Sequence, residues 1–367
     1  MEKKPVIAGI SQGDINGIGY EVIIKALSDP MITDICTPVV YGSPKVAAYH
    51  RKALNINNFS FNNIRSADEA HPKKANMINC LDDNVRVELG KSSSLGGESA
   101  LISLERAIDD IMKGKIDVLV TAPIDKHNIQ SKNFNFKGHT DFLKYKSGAP
   151  EVLMFMISEN IRIGLVTDHV PLRQVPQLVT TDSVLGKIKL MNQSLIYDFG
   201  IRKPKIAVLG LNPHAGDNSL LGSEENEIIM PAVQQALKEG IMAFGPFPAD
   251  GFFGAGSFTR FDGILAMYHD QGLAPFKALS FDSGVNFTAG LPFVRTSPVH
   301  GTAFDIAGKG EASENSFRQA MYLACDIFRN RMLNDEISKN PLKHYDIETH
   351  DRVDELPPDI FNAEQQI

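Results

Sequence analysis

Cysteine is scarce in this chain. Cys36, Cys80 and Cys325 are spread over 367 positions, odd in number and without a CxxC pair. That excludes a disulfide-stapled scaffold and fits a reducing compartment, the cytoplasm. Positive charge is also short: 37 Lys and Arg face 44 Asp and Glu, a net charge of −7. No basic face stands out, so nucleic acid is not an expected partner. Long hydrophobic runs are missing. Nothing approaches the ~18 apolar residues of a membrane span, and the first apolar run, residues 6–10, is too short for the core of a secretory signal. GxGxxG and HExxH are absent too, so neither the standard dinucleotide fingerprint nor a local zinc motif is present.

What is present suffices for a full core. Apolar residues make up 43% of the chain, and the length fits one large or two medium domains. Short runs rich in Val, Ile and Leu occur at 5–10, 37–42, 117–123, 151–157, 161–169, 205–214 and 263–270. They lack strict alternation, as strands buried on both faces do. Between them, 19–29, 97–114, 224–240 and 316–332 show i, i+3, i+4 apolar spacing and are expected helices. Strands alternating with helices predict an α/β fold with largely parallel or mixed sheets flanked by helices. The acidic tail carrying a Pro-Pro pair, 346–367, is expected to dock loosely.

Three of these runs end in a histidine: His169 in "IGLVTDHVPL", His214 in "AVLGLNPHAGD" and His269 in "GILAMYHDQGL". Ligands in open α/β sheets bind outside the carboxyl ends of strands. Three imidazoles converging there would form a catalytic metal site with one open position, with Asp168, Asp217 and Asp270 close enough in sequence to orient them. A single histidine at a strand end is more often a hydrogen-bonded structural residue, and from the pattern alone both readings stay open. The turn Gly138-His139-Thr140 precedes a helical pattern and offers N–H groups, a hydroxyl and an imidazole to an anion, or simply an N-cap. Lys277 and Arg295, with Asn286 between them, would clamp a phosphate or be solvated cations. Two glycine-rich stretches, "GDINGIGYE" (13–21) and "VHGTAFDIAGKG" (299–310), are weak signals of close ligand approach.

Taken together, these stretches resemble a known family. "GDINGIGYE" and "HGTAFDIAGKG" are similar to stretches of isocitrate and isopropylmalate dehydrogenases. "VTAPIDK", "GHTDFL", "TDHVPL", "LNPHAGD", "GPFPAD", "MYHDQGL" and "GLPFVRTSPVHGTA" resemble the 4-hydroxythreonine-4-phosphate dehydrogenases of pyridoxal phosphate biosynthesis, in order from about residue 5 to about 325. Ile15 and Tyr20 stand where that family often has proline, and Gly251 follows Asp250 where a Thr is common.

The resemblance implies an isopropylmalate dehydrogenase-like pair of α/β domains with the active-site cleft between them: 1–135 with 300–345, and 136–299. It implies NAD as cofactor, with NADP the alternative, and one divalent metal, zinc, with magnesium or cobalt as alternatives. His169, His214 and His269 match the metal ligands, drawn from both subunits of a homodimer. His139, Thr140, Lys277, Asn286 and Arg295 match substrate-binding residues, and His300, Gly301, Thr302, Ala303 and Asp305 the cofactor loop. Asp250 and Asp270 are candidates for amine contact or proton transfer. The implied reaction oxidises 4-phosphooxy-L-threonine to a β-keto acid that decarboxylates to 3-amino-2-oxopropyl phosphate. Four-carbon sugar-acid phosphates, D-erythronate or D-threonate 4-phosphate, are the alternative substrates. A zinc hydrolase on the same histidines, or a phosphometabolite-binding protein without turnover, are the rivals outside the family.

Overall fold

Each apolar run becomes a strand of one sheet. The computed structural model describes residues 5–340 apart from 83, 133 and 281; the tail 346–367 lies outside the described residues. The strands are β1 (Val6–Ser11), β2 (Cys36–Gly42), β3 (Asn62–Ile64), β4 (Asn76–Asn79), β5 (Val118–Thr121), β6 (Leu153–Ser158), β7 (Ile161–Leu165), β8 (Lys205–Leu209), β9 (Met242–Phe247), β10 (Gly263–Ala266), β11 (Val285–Ala289) and β12 (Val294–Pro298). Their order across the sheet is β3-β4-β2-β1-β5-β12-β11-β6-β7-β10-β8-β9. Every residue of β2, β6 and β10 is buried, which is why those runs show no polar alternation.

Helices cover both faces. On one, Phe317, Ala320, Met321 and Ala324 of the helix Asn315–Ser338 and Val184, Ile188, Met191 and Leu195 of the helix Thr181–Tyr197 share a core with Ala8, Val40, Val120 and Leu265. On the other, Leu104, Ala107 and Ile108 of the helix Ser94–Met112 pack on Val39, Tyr41 and Leu119. Ser93 caps that helix, its hydroxyl accepting from the Gly96 N–H at 3.1 Å, which satisfies one of the free donors at the helix start.

Eight strand pairings are parallel; the β12–β11, β11–β6 and β6–β7 pairings are antiparallel. Three reversals in succession mean that β7, β10, β8 and β9 run opposite to β1–β5. Residues 1–135 supply β1–β5, residues 136–299 supply β6–β12, and the helix Asn315–Ser338 returns to the sheet, its Ala320 carbonyl accepting from the Thr296 hydroxyl of β12. The antiparallel trio β12-β11-β6 lies between the two parallel blocks, and the site is built over it.

Candidate active site

β7 and β10 pair in parallel, with Ala266 opposite Leu165. The pairing continues past the strand ends: Val166 N–H donates to the Ala266 carbonyl at 2.8 Å and Thr167 N–H to the Met267 carbonyl at 3.1 Å. His169 and His269 therefore lie beyond the strands rather than within them. The shared register brings them side by side, ring centroids 5.6 Å apart. His269 opens the helix His269–Ser280, whose Leu273 and Lys277 follow at four-residue steps and line the same cavity.

Each imidazole has a carboxylate against one nitrogen. Asp270 Oδ1 is 2.7 Å from His269 Nδ1, and Asp168 Oδ2 is 3.7 Å from His169 Nδ1. His169 beside it holds the Asp168 carboxyl well below the usual carboxylate range. At hydrogen-bond distance the Asp270 carboxylate fixes the orientation and tautomer of the His269 ring, as carboxylates do behind metal-bound histidines; Asp168 makes only a longer ion-pair contact with the His169 ring and accepts from the His169 N–H at 2.6 Å. The pair fits a divalent ion in donor chemistry but is one nitrogen short of a three-histidine site. Among the described residues no three ligand side chains of one chain converge.

A cavity of about 250 Å³ opens beside the pair. Its wall carries His139, Thr140, Lys277, Asn286 and Arg295, all five residues matched to substrate binding, together with His169, His269, His300 and Gly301. Arg295 on β12 is almost wholly buried. Its guanidinium donates to the Thr121 hydroxyl at 2.6 and 3.1 Å and to the Thr288 hydroxyl at 3.1 Å. It has no carboxylate partner among the described residues, and burial pushes its pKa down to about 9. An uncompensated buried cation is costly; here it faces a cavity where an anion fits. Nearby, His139 Nε2, Asn286 Oδ1 and His300 Nε2 are buried without hydrogen-bond partners. Buried polar atoms are nearly always paired, so three such atoms on one wall mark a ligand surface. Lys126, Lys137, Lys277 and Arg295 line the cavity against only Asp141 and Asp168. A protein of net charge −7 thus presents a cationic pocket, which attracts an anionic ligand.

The two glycine-rich loops meet at one edge. Ile18 N–H donates to the Thr302 carbonyl at 3.0 Å. A Cβ on Gly17 would lie 2.7 Å from that carbonyl oxygen, so only glycine allows the approach. His300 and Gly301 line the cavity; Thr302, Ala303 and Asp305 do not. Tyr20 fills the place of the expected proline. Its hydroxyl donates to Gln12 Oε1 at 2.6 Å and accepts from the Ser43 N–H at 2.8 Å.

His214 and Asp250 lie elsewhere. Both are exposed and neither lines this cavity. His214 sits on a loop in which six consecutive residues, His214 to Ser219, have positive φ. Left-handed backbone costs L-residues roughly 1–2 kcal/mol each, less for Asn and Asp, so the loop is held against its own preference. Asp250 is in the first turn of the short helix Ala249–Gly254. Asp270 stays behind His269, outside the cavity lining.

Comparison with known proteins settles the family. The family model described as "Pyridoxal phosphate biosynthetic protein PdxA" matches residues 34–324. The chain belongs to this family. A Bacteroides thetaiotaomicron protein named 4-hydroxythreonine-4-phosphate dehydrogenase is 54% identical over 366 residues, covering 99% of this chain and 100% of that one. An Oceanobacillus iheyensis relative, 40% identical over 331 residues and covering 89% and 99%, carries the name of a D-threonate 4-phosphate dehydrogenase. A crystal structure of 4-hydroxythreonine-4-phosphate dehydrogenase from Klebsiella pneumoniae superposes with a TM-score of 0.77 at 31% identity, covering 89% and 99%. This PdxA-family chain is a dehydrogenase, which sets aside the hydrolase and the binding protein without turnover.

The sequence singles out neither Lys126 nor Lys137. Lys126 Nζ lies 3.4 Å from His169 Nε2, and Lys137 Nζ donates to the His169 carbonyl at 3.4 Å. Lys126 closes the quoted "VTAPIDK" stretch, the one signal that pointed to it. No helix among the described residues of this PdxA-family chain is long and apolar enough to cross a membrane.

Burial also sets a pH dependence. His139 is held well below the ordinary imidazole value of 6.5, first by burial and then by Arg295 and Lys126. Burial pushes His50 down to about 4 and lowers His300. The unfolded chain takes up these protons near pH 6.5 and the folded chain does not, so stability is full above that pH and falls as pH drops from about 6.5 toward 4. The melting temperature should decline clearly between pH 7.5 and pH 5. A flat profile would show that these rings are not held neutral.

Proposed function

We propose that this chain is a nicotinamide-dependent, divalent-metal-dependent dehydrogenase acting on 4-phosphooxy-L-threonine. Its C3 hydroxyl is oxidised to a ketone, and the resulting β-keto acid loses CO₂ to give 3-amino-2-oxopropyl phosphate. The observation that carries this is Arg295: a buried guanidinium without a carboxylate partner among the described residues, on the same wall as His139, Thr140, Lys277 and Asn286. That set suits a phosphate, through the Arg fork, the Lys charge and neutral donors. Lys126 and Lys137 add positive charge beside His169, where the substrate carboxylate is expected.

His169 and His269 of one chain, with His214 from a second copy in a homodimer, would hold the metal, zinc in our reading. When bound, a divalent ion makes the hydroxyl acidic and polarises the ketone. Asp270 would keep the His269 ring aimed, and Asp168 would add negative charge beside His169. The loop carrying His300, Gly301, Thr302, Ala303 and Asp305 would hold NAD, which supplies the hydride acceptor. Asp250, exposed on its own chain, would face the second copy's site. Three cysteines without a disulfide support a reducing, cytoplasmic setting.

The test pairs NADH absorbance with CO₂ release from carboxyl-labelled substrate, over 4-phosphooxy-L-threonine, D-threonate 4-phosphate and D-erythronate 4-phosphate. The amine-bearing substrate should give the highest kcat/KM, with one CO₂ per NADH. NADH with a stable undecarboxylated acid would refute the second step. Turnover confined to the two sugar-acid phosphates would move the assignment to the activity named for the Oceanobacillus relative.

A further inference from the structure

The backbone from His214 to Ser219 has φ values of 55, 50, 79, 42, 56 and 74°. Only Gly216 adopts such values freely, so something outside the turn must hold it. The side chain that does so is Glu225. It is buried, at the start of the single π-turn Glu225–Ile229. Its Oε1 accepts from the Leu211 and Asn212 N–H groups, both at 2.7 Å, and its Oε2 accepts from Asn212 Nδ2 at 3.0 Å. Glu224 holds the same Asn212 amide at 2.8 Å. The middle of the turn rests on the same carboxylate: a Cβ on Gly216 would lie 2.6 Å from Glu225 Oε2. Glu225 therefore holds the residues that lead into the turn by hydrogen bonds and lies against its centre.

His214 itself is exposed. An exposed ring has few packing partners to aim it, so its position is set chiefly by the backbone that carries it. We infer that Glu225 is the positioning residue for His214: its carboxylate locks the left-handed turn that presents this imidazole to the metal of a second copy's site. The inference rests on the proposed metal role of His214. Glu225 opens a π-turn, a feature that often marks functional sites.

The test is zinc affinity, measured by chelator competition on the purified dimer well below its melting temperature, for wild type, Glu225→Ala, Glu225→Gln, Asn212→Ala and His214→Ala. Outer partners of metal ligands typically contribute 10–100-fold in metal affinity. Glu225→Ala should weaken zinc binding by about that factor, and Glu225→Gln, which keeps one acceptor oxygen, by less. Asn212→Ala removes one of the three bonds to the carboxylate and should fall between them; it carries the test if Glu225→Ala does not fold. The dissociation constant of inorganic phosphate, which reports the Arg295 wall, should stay within twofold of wild type. A merely structural role would lower the melting temperature and leave zinc affinity unchanged. If His214→Ala loses zinc while all three other variants bind it like wild type, the positioning role is wrong. If His214→Ala itself binds zinc like wild type, the metal role of His214 is what fails.

Discussion

Arg295→Met should lower kcat/KM on the order of 10²–10³-fold and yet raise the melting temperature of the free protein. The two effects have one cause. The guanidinium is buried, and among the described residues its only side-chain partners are the Thr121 and Thr288 hydroxyls. Burial pushes its pKa down to about 9, well below the ordinary arginine value. For a base, a lowered folded-state pKa means that the unfolded chain binds the proton more tightly. The penalty is then present in full at neutral pH and is relieved as pH rises above about 9. Its size is on the order of 5 kcal/mol, partly offset in the variant by the two hydroxyls left without their donor. Methionine fills similar space without charge. In the proposed function a bound phosphate would supply the missing counter-charge in the wild type, and losing a buried, charge-assisted partner costs roughly 2–5 kcal/mol of binding.

Inorganic phosphate should therefore raise the melting temperature of the wild type and not of Arg295→Met. Arg295→Lys should sit between them, keeping a charge but losing the fork. A variant with near-normal kcat/KM and a lowered melting temperature would show that Arg295 serves the fold and not the ligand.

Much of the scaffold was legible. Each of the seven apolar runs overlaps a strand, because strands buried on both faces cannot alternate. The helix Thr181–Tyr197 was readable from Val184, Ile188, Met191 and Leu195, whose spacing follows one face, but was not among the expected helices. β11 and β12 were not expected either. They carry Asn286, Thr288, Arg295, Thr296 and Ser297, polar residues that mask a strand because part of their surface faces the site. Local rules give way where function intrudes.

The site was legible in its members more than in its arrangement. That His169 and His269 lie 5.6 Å apart follows from the β7–β10 register, a pairing across a hundred residues that no local pattern encodes. Lys126 reaches the pocket only as the last residue of "VTAPIDK", and Lys137 from a loop without a motif of its own. The unusual backbone at His214 left only Gly216, Asp217 and Asn218 as traces, residues that tolerate left-handed conformation more readily than others.

The account turns on a site that one chain leaves unfinished. His169 and His269 meet in one chain, whereas His214 lies outside their cavity. The most direct measurement is complementation within a dimer. Chains carrying His169→Ala and His214→Ala, each expected to lose at least about 10³-fold in turnover as a homodimer, are co-expressed under two affinity tags and the heterodimer is isolated. One of its two sites then combines an intact His169–His269 pair with an intact His214. Turnover should return to about half of the wild-type value per dimer, with about one tightly held zinc ion in place of two, as expected for one open three-ligand site per chain. His169→Ala paired with Lys277→Ala should stay inactive, because both residues line the same cavity of one chain. An inactive His169→Ala and His214→Ala heterodimer, or a wild-type protein that turns over as a monomer by sedimentation, would contradict the shared site.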